Sequence, residues 1–464
     1  MNAMFDMIKN FPSRVTILGA ARSGIAAAKF FLEHKVSVFL SDQCSREKLE
    51  RIIAENGLAG LVFEAQKHTD AVLKADLIIL SPGISSDLPV IMQAKKLFIP
   101  VWSEMELGFR VSRAPFLAVT GSTGKSTTVS LVGAALASAG IEHVVAGNIG
   151  LPVIGLTPNV SQKGFVVAEV SSFQLETIDS FHPKAALITN LMKNHLDRYP
   201  SEEAYYSAKM EIARNLTPDD YLILNACDAR LFSWGKEMSG RVRTVYFGAN
   251  VPGQDSFWCD DTILRYRFNE TCGTLGDCRL MKLQGRHNFD NASAAAVLAK
   301  TAGAGDEAIF DGLCSFKGLP HRLEFVAEID GVRWYNDSKS TTAESIDCAV
   351  RSFDKGVHLI AGGKDKGCDF SVVGKAVKEY VKSVVLIGEA AARIESQWKG
   401  LAPIIRASTL QDAIAKTISS ARRGDTVVFS PGCSSFDMFR DFEDRGEQFC
   451  LIVRKYAGKG MSNG

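Results

Sequence analysis

An apolar strand that runs straight into a glycine-rich turn and then an alanine-rich helix constrains this chain more than any other feature. The segment Leu117-Ala118-Val119-Thr120-Gly121-Ser122-Thr123-Gly124-Lys125-Ser126-Thr127-Thr128 has that form. Gly121 and Gly124 let backbone N–H groups turn inward around phosphate oxygens, and Lys125 sets a positive charge over the β and γ phosphates. A hydroxyl from Ser126 or Thr127 can hold Mg²⁺, and Ser122 and Thr123 complete the loop. The expected ligand is ATP or GTP.

Length and charge narrow the rest. A chain of 464 residues is too long for one core and predicts about three domains. Lys and Arg total 53 against 52 Asp and Glu, so no basic excess exists to hold a nucleic-acid backbone. Anionic small molecules must instead meet local sites. No run approaches the roughly 20 apolar residues needed to span a bilayer, and the opening Met1-Asn2-Ala3-Met4-Phe5-Asp6-Met7-Ile8-Lys9 lacks the pattern of a secretory signal. No membrane insertion and a cytoplasmic location are expected. The ten cysteines fit free thiols in a reducing compartment. Cys259, Cys272 and Cys278 cluster without a Cys-x-x-Cys spacing, which argues against zinc.

Three blocks follow one another. In the first, Arg14-Val15-Thr16-Ile17-Leu18-Gly19 leads through Gly24 into an apolar helix, and a second strand, Val36-Ser37-Val38-Phe39-Leu40, ends near Asp42. This is a βαβ unit with an acid closing its second strand, as in nucleotide-binding crossovers. Ala21 replaces the middle glycine of the dinucleotide fingerprint, which is therefore incomplete. Asp76-Leu77-Ile78-Ile79-Leu80-Ser81-Pro82-Gly83 reads as a buried strand ending in a ligand-accessible turn. The second block carries the phosphate loop, two apolar strands that finish in polar residues at Glu169 and Asn190, and Gly285-Arg286-His287-Asn288-Phe289-Asp290-Asn291 before a small-residue helix. The third begins at Gly318-Leu319-Pro320-His321-Arg322 and alternates strands with helices. The expected fold class is α/β in three domains, 1–102, 103–318 and 319–464: a Rossmann-like domain, a central P-loop domain with a mainly parallel sheet, and a second Rossmann-like domain.

Two side chains stand out before any comparison. A carboxylate ending an apolar strand is costly unless it meets a cation, so Glu169 is a candidate Mg²⁺ ligand, the alternative being an exposed strand end. His195 would ordinarily be a packing or surface residue, but it follows directly on a strand that ends beside the phosphate site and could reach a metal or a reacting carboxylate.

The phosphate loop is short, with Val119 where the common nucleotide loop has a glycine. Together with Glu169-Val170-Ser171-Ser172-Phe173-Gln174-Leu175-Glu176, His195-Leu196-Asp197-Arg198-Tyr199-Pro200, Gly285-Arg286-His287-Asn288, His321-Arg322 and Asn336-Asp337-Ser338-Lys339, it appears in the order found in Mur ligases. The chain thus resembles that family over nearly its whole length. Residues 430–446, the turn Gly147-Asn148-Ile149-Gly150 and the absence of an Asp-Asn-Pro-Arg motif resemble the branch that adds D-glutamate.

The resemblance implies a reaction. ATP would phosphorylate the carboxylate of UDP-N-acetylmuramoyl-L-alanine, and the D-glutamate amine would displace phosphate, the work of a monomer acting on small molecules in peptidoglycan precursor synthesis. By motif position, Ser126, Glu169, His195 and Lys209 match the binding of two Mg²⁺ ions, with Lys209 carried as a carbamate. Asn288, Asn291, Arg322 and Asp337 match ATP contacts, and Lys125, His195, Lys209 and Lys339 match catalytic positions. Arg22, Ser23, Asp42, Asn148, Ser171 and Gln174 match the UDP-substrate site, while Thr341, Lys366, Ser435, Phe436 and Phe442 match the D-glutamate site. The chain departs from the family at Asn194, where many members carry an acid, and at Arg22, where small apolar residues are common. The nearest rival is a folylpolyglutamate synthase, which lacks a uridine-binding N-terminal domain. A nucleotide-binding regulator without ligase activity and an oxidoreductase are the others, and the missing glycine at Ala21 counts against the last.

Overall fold

Runs of Val, Ile, Leu and Phe bounded by polar turns become strands buried on both faces, the pattern of parallel sheets covered by helices. The computed structural model describes residues 11–148, 150–193, 198–283 and 285–460. The first sheet has β1 (Arg14–Leu18), β2 (Ser37–Asp42), β3 (Val62–Ala65), β4 (Leu77–Leu80) and β5 (Val101–Ser103), in the order β3-β2-β1-β4-β5. All its pairs are parallel.

The second sheet holds β6 (Phe116–Thr120), β7 (His143–Gly147), β8 (Phe165–Glu169), β9 (Ala185–Ile188), β10 (Tyr221–Asn225), β11 (Arg243–Phe247), β12 (Ser256–Asp260), β13 (Ile263–Phe268) and β14 (Thr271–Asp277). Its order is β14-β13-β12-β11-β10-β9-β6-β8-β7. Only the β12-β13-β14 edge is antiparallel. The third sheet comprises β15 (Glu324–Ile329), β16 (Val332–Asn336), β17 (Val357–Gly362), β18 (Val381–Ile387), β19 (Ile404–Arg406) and β20 (Thr426–Phe429), ordered β15-β16-β20-β17-β18-β19 with β15 antiparallel.

Residues up to Lys317 form one compact unit and those from Gly318 form another. Within the first unit, two sheets share packing. Leu107 and Val111 of the helix Glu104–Val111 join Ile154 in one buried cluster with Val15, Ile17 and Leu40. Glu106 accepts the backbone N–H groups of Asp179 (3.0 Å), Ser180 (2.9 Å) and Phe181 (2.9 Å), which ties this helix to the second sheet. Glu104, on the same helix, accepts from Ile154 N at 2.7 Å, while its other oxygen has no hydrogen-bond partner among the described residues.

That half-satisfied carboxyl carries a pH prediction. Burial pushes Glu104 up to about 7 from its ordinary 4.5, against the opposing N–H groups of Ile154 and Val153. A carboxyl whose folded value exceeds its unfolded value favours folding fully below the unfolded value and loses that contribution as pH rises through the folded one. The loss across pH 4.5 to 7 is about 3 kcal/mol at 1.4 kcal/mol per unit. Glu104→Gln should therefore flatten the fall of Tm between pH 5 and 8, as scanning calorimetry would register; parallel Tm profiles for variant and wild type would rule the assignment out.

Candidate functional site

β6 lies between β8 and β9, so the loop that leaves it opens at a switch point of the parallel sheet, where ligands bind beyond the strand ends. Gly121 takes φ +139° and Gly124 φ +82°, backbone states that favour glycine. A Cβ on Gly121 would lie 1.9 Å from Thr189 Oγ1. Gly124 caps the helix Lys125–Ser138, so the first amides of that helix and its positive dipole end face the loop.

The loop is fastened along its length to the chain after β9. Ser122 N donates to Asn190 O (3.0 Å) and Thr123 N to Asn190 Oδ1 (3.0 Å). Thr189 Oγ1 donates to Thr123 O at 2.6 Å. Met192 N donates to Ser122 Oγ (2.8 Å), which in turn donates to Met192 O (2.9 Å). Thr189 and Met192 were not singled out from sequence; the polar pair Thr189-Asn190 ending an apolar strand was the available signal.

Two lysines meet at one oxygen. Lys125 Nζ donates to Gly121 O (2.8 Å) and Ser122 O (3.1 Å), and Lys209 Nζ donates to Gly121 O at 2.9 Å. Lys209 is 2% exposed and lies over the Tyr205 ring at 4.5 Å. Burial first, and the charge of Lys125 second, hold Lys209 well below the ordinary lysine range, against the pull of Glu169. Glu169 is also buried. Its Oε2 accepts from Ser126 Oγ (2.7 Å) and its Oε1 from Asn148 Nδ2 (3.0 Å).

A buried carboxylate beside a serine hydroxyl is a hard-oxygen donor set, which fits Mg²⁺, an ion that keeps several waters and takes few protein ligands. Among the described residues no three His, Cys, Asp or Glu side chains gather as a metal cluster. His195 lies outside the described residues. Asn291 reaches the loop from the helix Arg286–Thr301: its Oδ1 would be 2.6 Å from a Cβ on Gly124, and its amide donates to Asn288 Oδ1 at 3.4 Å.

Other sequence candidates sit elsewhere in the fold. Ser171 and Gln174 face each other in a capping box on the short helix Ser172–Leu175, with Ser171 N donating to Gln174 Oε1 at 2.9 Å. At the ends of β1 and β2, Asp42 accepts from Ala20 N (2.6 Å) and Cys44 N (2.8 Å). Burial opposes its charge, yet these N–H groups hold it below the ordinary aspartate value. Arg22 and Ser23 open the helix Arg22–Glu33 beside it, Arg22 exposed.

In the second unit Asp337 is buried and accepts from Ser430 Oγ (2.8 Å), Ser340 Oγ and Leu323 N (3.2 Å). Burial pushes it up to about 6, against those hydroxyls and Arg322. Lys339 N donates to His321 O at 2.9 Å. Thr341, Lys366 and Phe436 are exposed, Ser435 is buried, and Phe442 opens the helix Phe442–Gly460. Sequence reasoning passed over Arg445. Its guanidinium is buried and donates to Ser338 Oγ (2.9 Å), Ser338 O (2.7 Å) and Cys433 O (2.9 Å).

A strand–loop–helix phosphate site at a sheet switch point, facing a buried carboxylate, in a chain that carries one α/β sheet before it in sequence and another after it, defines a three-domain P-loop protein. Three family models match it: Mur ligase MurD-like, N-terminal domain, over residues 13–103; Mur ligase middle domain over 119–299; and Mur ligase, glutamate ligase domain over 321–433. The UDP-N-acetylmuramoylalanine--D-glutamate ligase of Geotalea daltonii is 39% identical over 448 residues, covering 96% of this chain and 98% of that one. The enzyme of the same name from Acidobacterium capsulatum is 40% identical, with 96% and 97% covered. The chain belongs to the Mur ligase family. Among solved structures, the UDP-N-acetylmuramate-alanine ligase MurC of Thermotoga maritima shares the fold with a TM-score of 0.59 at 19% identity, covering 96% of this chain and 99% of that one. The FolC structure of E. coli shares it at 0.57 and 17% identity over 76% of this chain and 93% of its own.

Thr189→Val keeps the shape but deletes the 2.6 Å tie to Thr123 O. A lost hydrogen bond of about 1 to 1.5 kcal/mol predicts roughly ten-fold weaker nucleotide binding. Titration with a fluorescent ATP analogue checks this, and unchanged affinity would show that the tie does not order the loop.

Proposed function

We propose that this chain ligates D-glutamate to UDP-N-acetylmuramoyl-L-alanine with ATP, forming an amide, ADP and phosphate. The observation that carries this reading is similarity across nearly the whole chain to D-glutamate ligases, at 39% identity over 96% of its length. Two anions, a carboxylate and a triphosphate, must approach each other, which requires concentrated positive charge. Lys125, at the loop, is placed to supply part of it, and the loop amides with the helix dipole supply more. A carboxylate oxygen of the acceptor attacks the γ-phosphorus as the bond to ADP breaks. The D-glutamate nitrogen then attacks the acyl carbon, phosphate leaves with its electron pair, and the amine gives up a proton.

Ser126 and Glu169, with His195 and Lys209, are the residues we assign to two Mg²⁺ ions, which when bound would supply charge neutralisation of the phosphates. Lys209 is the proposed carbamate. Its buried amine has no salt bridge among the described residues and points at the phosphate loop; addition to CO₂ forms an N–C bond, releases a proton and turns a donor into an anion. We assign UDP-substrate binding to residues 1–102 through Arg22, Ser23, Asp42, Asn148, Ser171 and Gln174, the last three from the neighbouring domain. ATP belongs to 103–318 with Arg322, Asp337 and Lys339 contributing from the domain that follows, 319–464, where Thr341, Lys366, Ser435, Phe436 and Phe442 take D-glutamate. Among the described residues no helix is long and apolar enough to cross a membrane. We place the reaction in the cytoplasm, carried out by a monomer.

Phosphate release with UDP-N-acetylmuramoyl-L-alanine, ATP and Mg²⁺ should depend on D-glutamate and be small with L-glutamate, D-aspartate or L-lysine. Equal release with L-lysine, or a requirement for a folate, would sink the assignment. Lys209→Ala should be nearly inactive, and formate or acetate filling the vacated space should restore part of the rate. Chloride at equal ionic strength should not; an alanine variant with full activity returns Lys209 to a purely structural role.

A further inference from the structure

A cluster of covered polar and aromatic side chains joins the turn after β4 to the crevice edge of the second sheet. Glu176 follows the capped helix Ser172–Leu175. Its Oε2 accepts from Ser86 Oγ (2.7 Å) and Arg198 Nη2 (3.0 Å), and its Oε1 accepts from Tyr199 OH (2.5 Å). Arg198 also donates to Ile84 O at 3.2 Å, with a longer contact to Pro82 O at 3.5 Å. Its guanidinium lies over the Phe173 ring, 4.1 Å from the centroid.

The pair differs from a solvated surface ion pair, which contributes little. Arg198 and Glu176 are only 18% and 16% exposed, and the guanidinium uses its planar fork on a carboxylate and on backbone carbonyls at once, a geometry a lysine cannot reproduce. The carbonyls belong to a turn at the carboxyl end of β4, where a parallel sheet binds ligands. The carboxylate belongs to the segment that starts just past Glu169. Aromatic contacts extend the cluster toward the phosphate loop: Phe173 stacks on Tyr199 at 5.9 Å, Tyr199 meets Tyr205 at 5.3 Å, and Lys209 lies over Tyr205.

We propose that Arg198, Glu176 and Ser86 form a clasp of positioning residues that fixes the turn after β4 against the phosphate-loop domain and so sets where the acceptor carboxylate of the UDP-linked substrate arrives. This rests on the ligase reading above. A substrate anchored at its uridine end in one domain and reacting in the next is sensitive to the spacing between them, and a displacement of about 1 Å at a reacting centre can cost about 100-fold in rate. None of the three residues needs to touch a reacting atom.

The test uses the full-length chain with Arg198→Lys, Glu176→Gln and Ser86→Ala. Arg198→Lys should lower kcat about 10- to 100-fold and raise KM for the UDP-linked substrate, while the affinity for a fluorescent ATP analogue in the absence of that substrate and the KM for D-glutamate stay within about two-fold of wild type. Ser86→Ala, which deletes one hydroxyl, should shift the same two constants in the same direction by a smaller factor, and combined with Glu176→Gln should have less than the product of the separate effects. It keeps the proposal testable if Arg198→Lys folds poorly. A loss shared equally between nucleotide and UDP-linked substrate, or unaltered constants in a wild-type-active background, overturns the clasp alone. A wild-type chain without D-glutamate-dependent turnover overturns both readings.

Discussion

One carbonyl oxygen, that of Gly121, sets the arrangement around it. It accepts from both Lys125 and Lys209, and it is aimed that way because Gly121 holds φ +139° against Thr189. Two ammonium groups sharing an acceptor repel by about 4 kcal/mol at 4 Å and an effective dielectric of 20. Burial first, and this repulsion second, hold Lys209 well below the ordinary lysine range, against the pull of Glu169. A buried amine shifted in that direction next to a phosphate loop differs from a surface lysine, because only the neutral form of an amine can act as a nucleophile towards a small electrophile.

Opposite these lysines, Glu169 remains buried because its neighbours satisfy it. Ser126 comes from the first turn of the loop helix, and Asn148 reaches it because Gly147 at φ +114° brings β7 so close that a Cβ would lie 2.2 Å from Glu169 O. Cation-rich loop and carboxylate thus face each other across the end of β6 and β8, neighbours in register at Val119 and Glu169. The separation of charge is built by strand order, not by any one side chain.

The second unit solves a related problem with a buried cation. Arg445 is 1% exposed and donates to backbone and hydroxyl oxygens of Ser338 and Cys433. Burial holds it down at about 10, with the neighbouring Cys433, Asp437 and Asp337 pulling the other way. Holding Ser338 and Cys433 together orders the chain on both sides of the third sheet's strand ends, Asn336 of β16 and Phe429 of β20, which are direct partners. Removing such an anchor would free two segments at once.

What the sequence determined alone is local and periodic. Apolar runs ending in glycine or polar residues gave the strand–loop–helix unit at 117–128, the βαβ start at Arg14, and the placement of Glu169 at a strand end, because strand burial and glycine turns are written in neighbouring residues. The order of motifs along the chain carried the family. Contacts between residues far apart in sequence were decided only by tertiary structure. Nothing near Lys209 in the chain marks it as buried; it becomes so because the fold carries it 88 positions back to Gly121. Thr189 gains its role only when β9 pairs with β6. Asp42 reads as a ligand contact from its strand end, and the fold engages it with the amides of Ala20 after β1 and Cys44 after β2. Glu176 and Arg198 lie in motifs the sequence shows, but their partners Ser86, Ile84 and Pro82 lie in the turn after β4, a strand of another sheet. Sequence spacing fixes which residues share a strand or helix; strand order decides which of them meet.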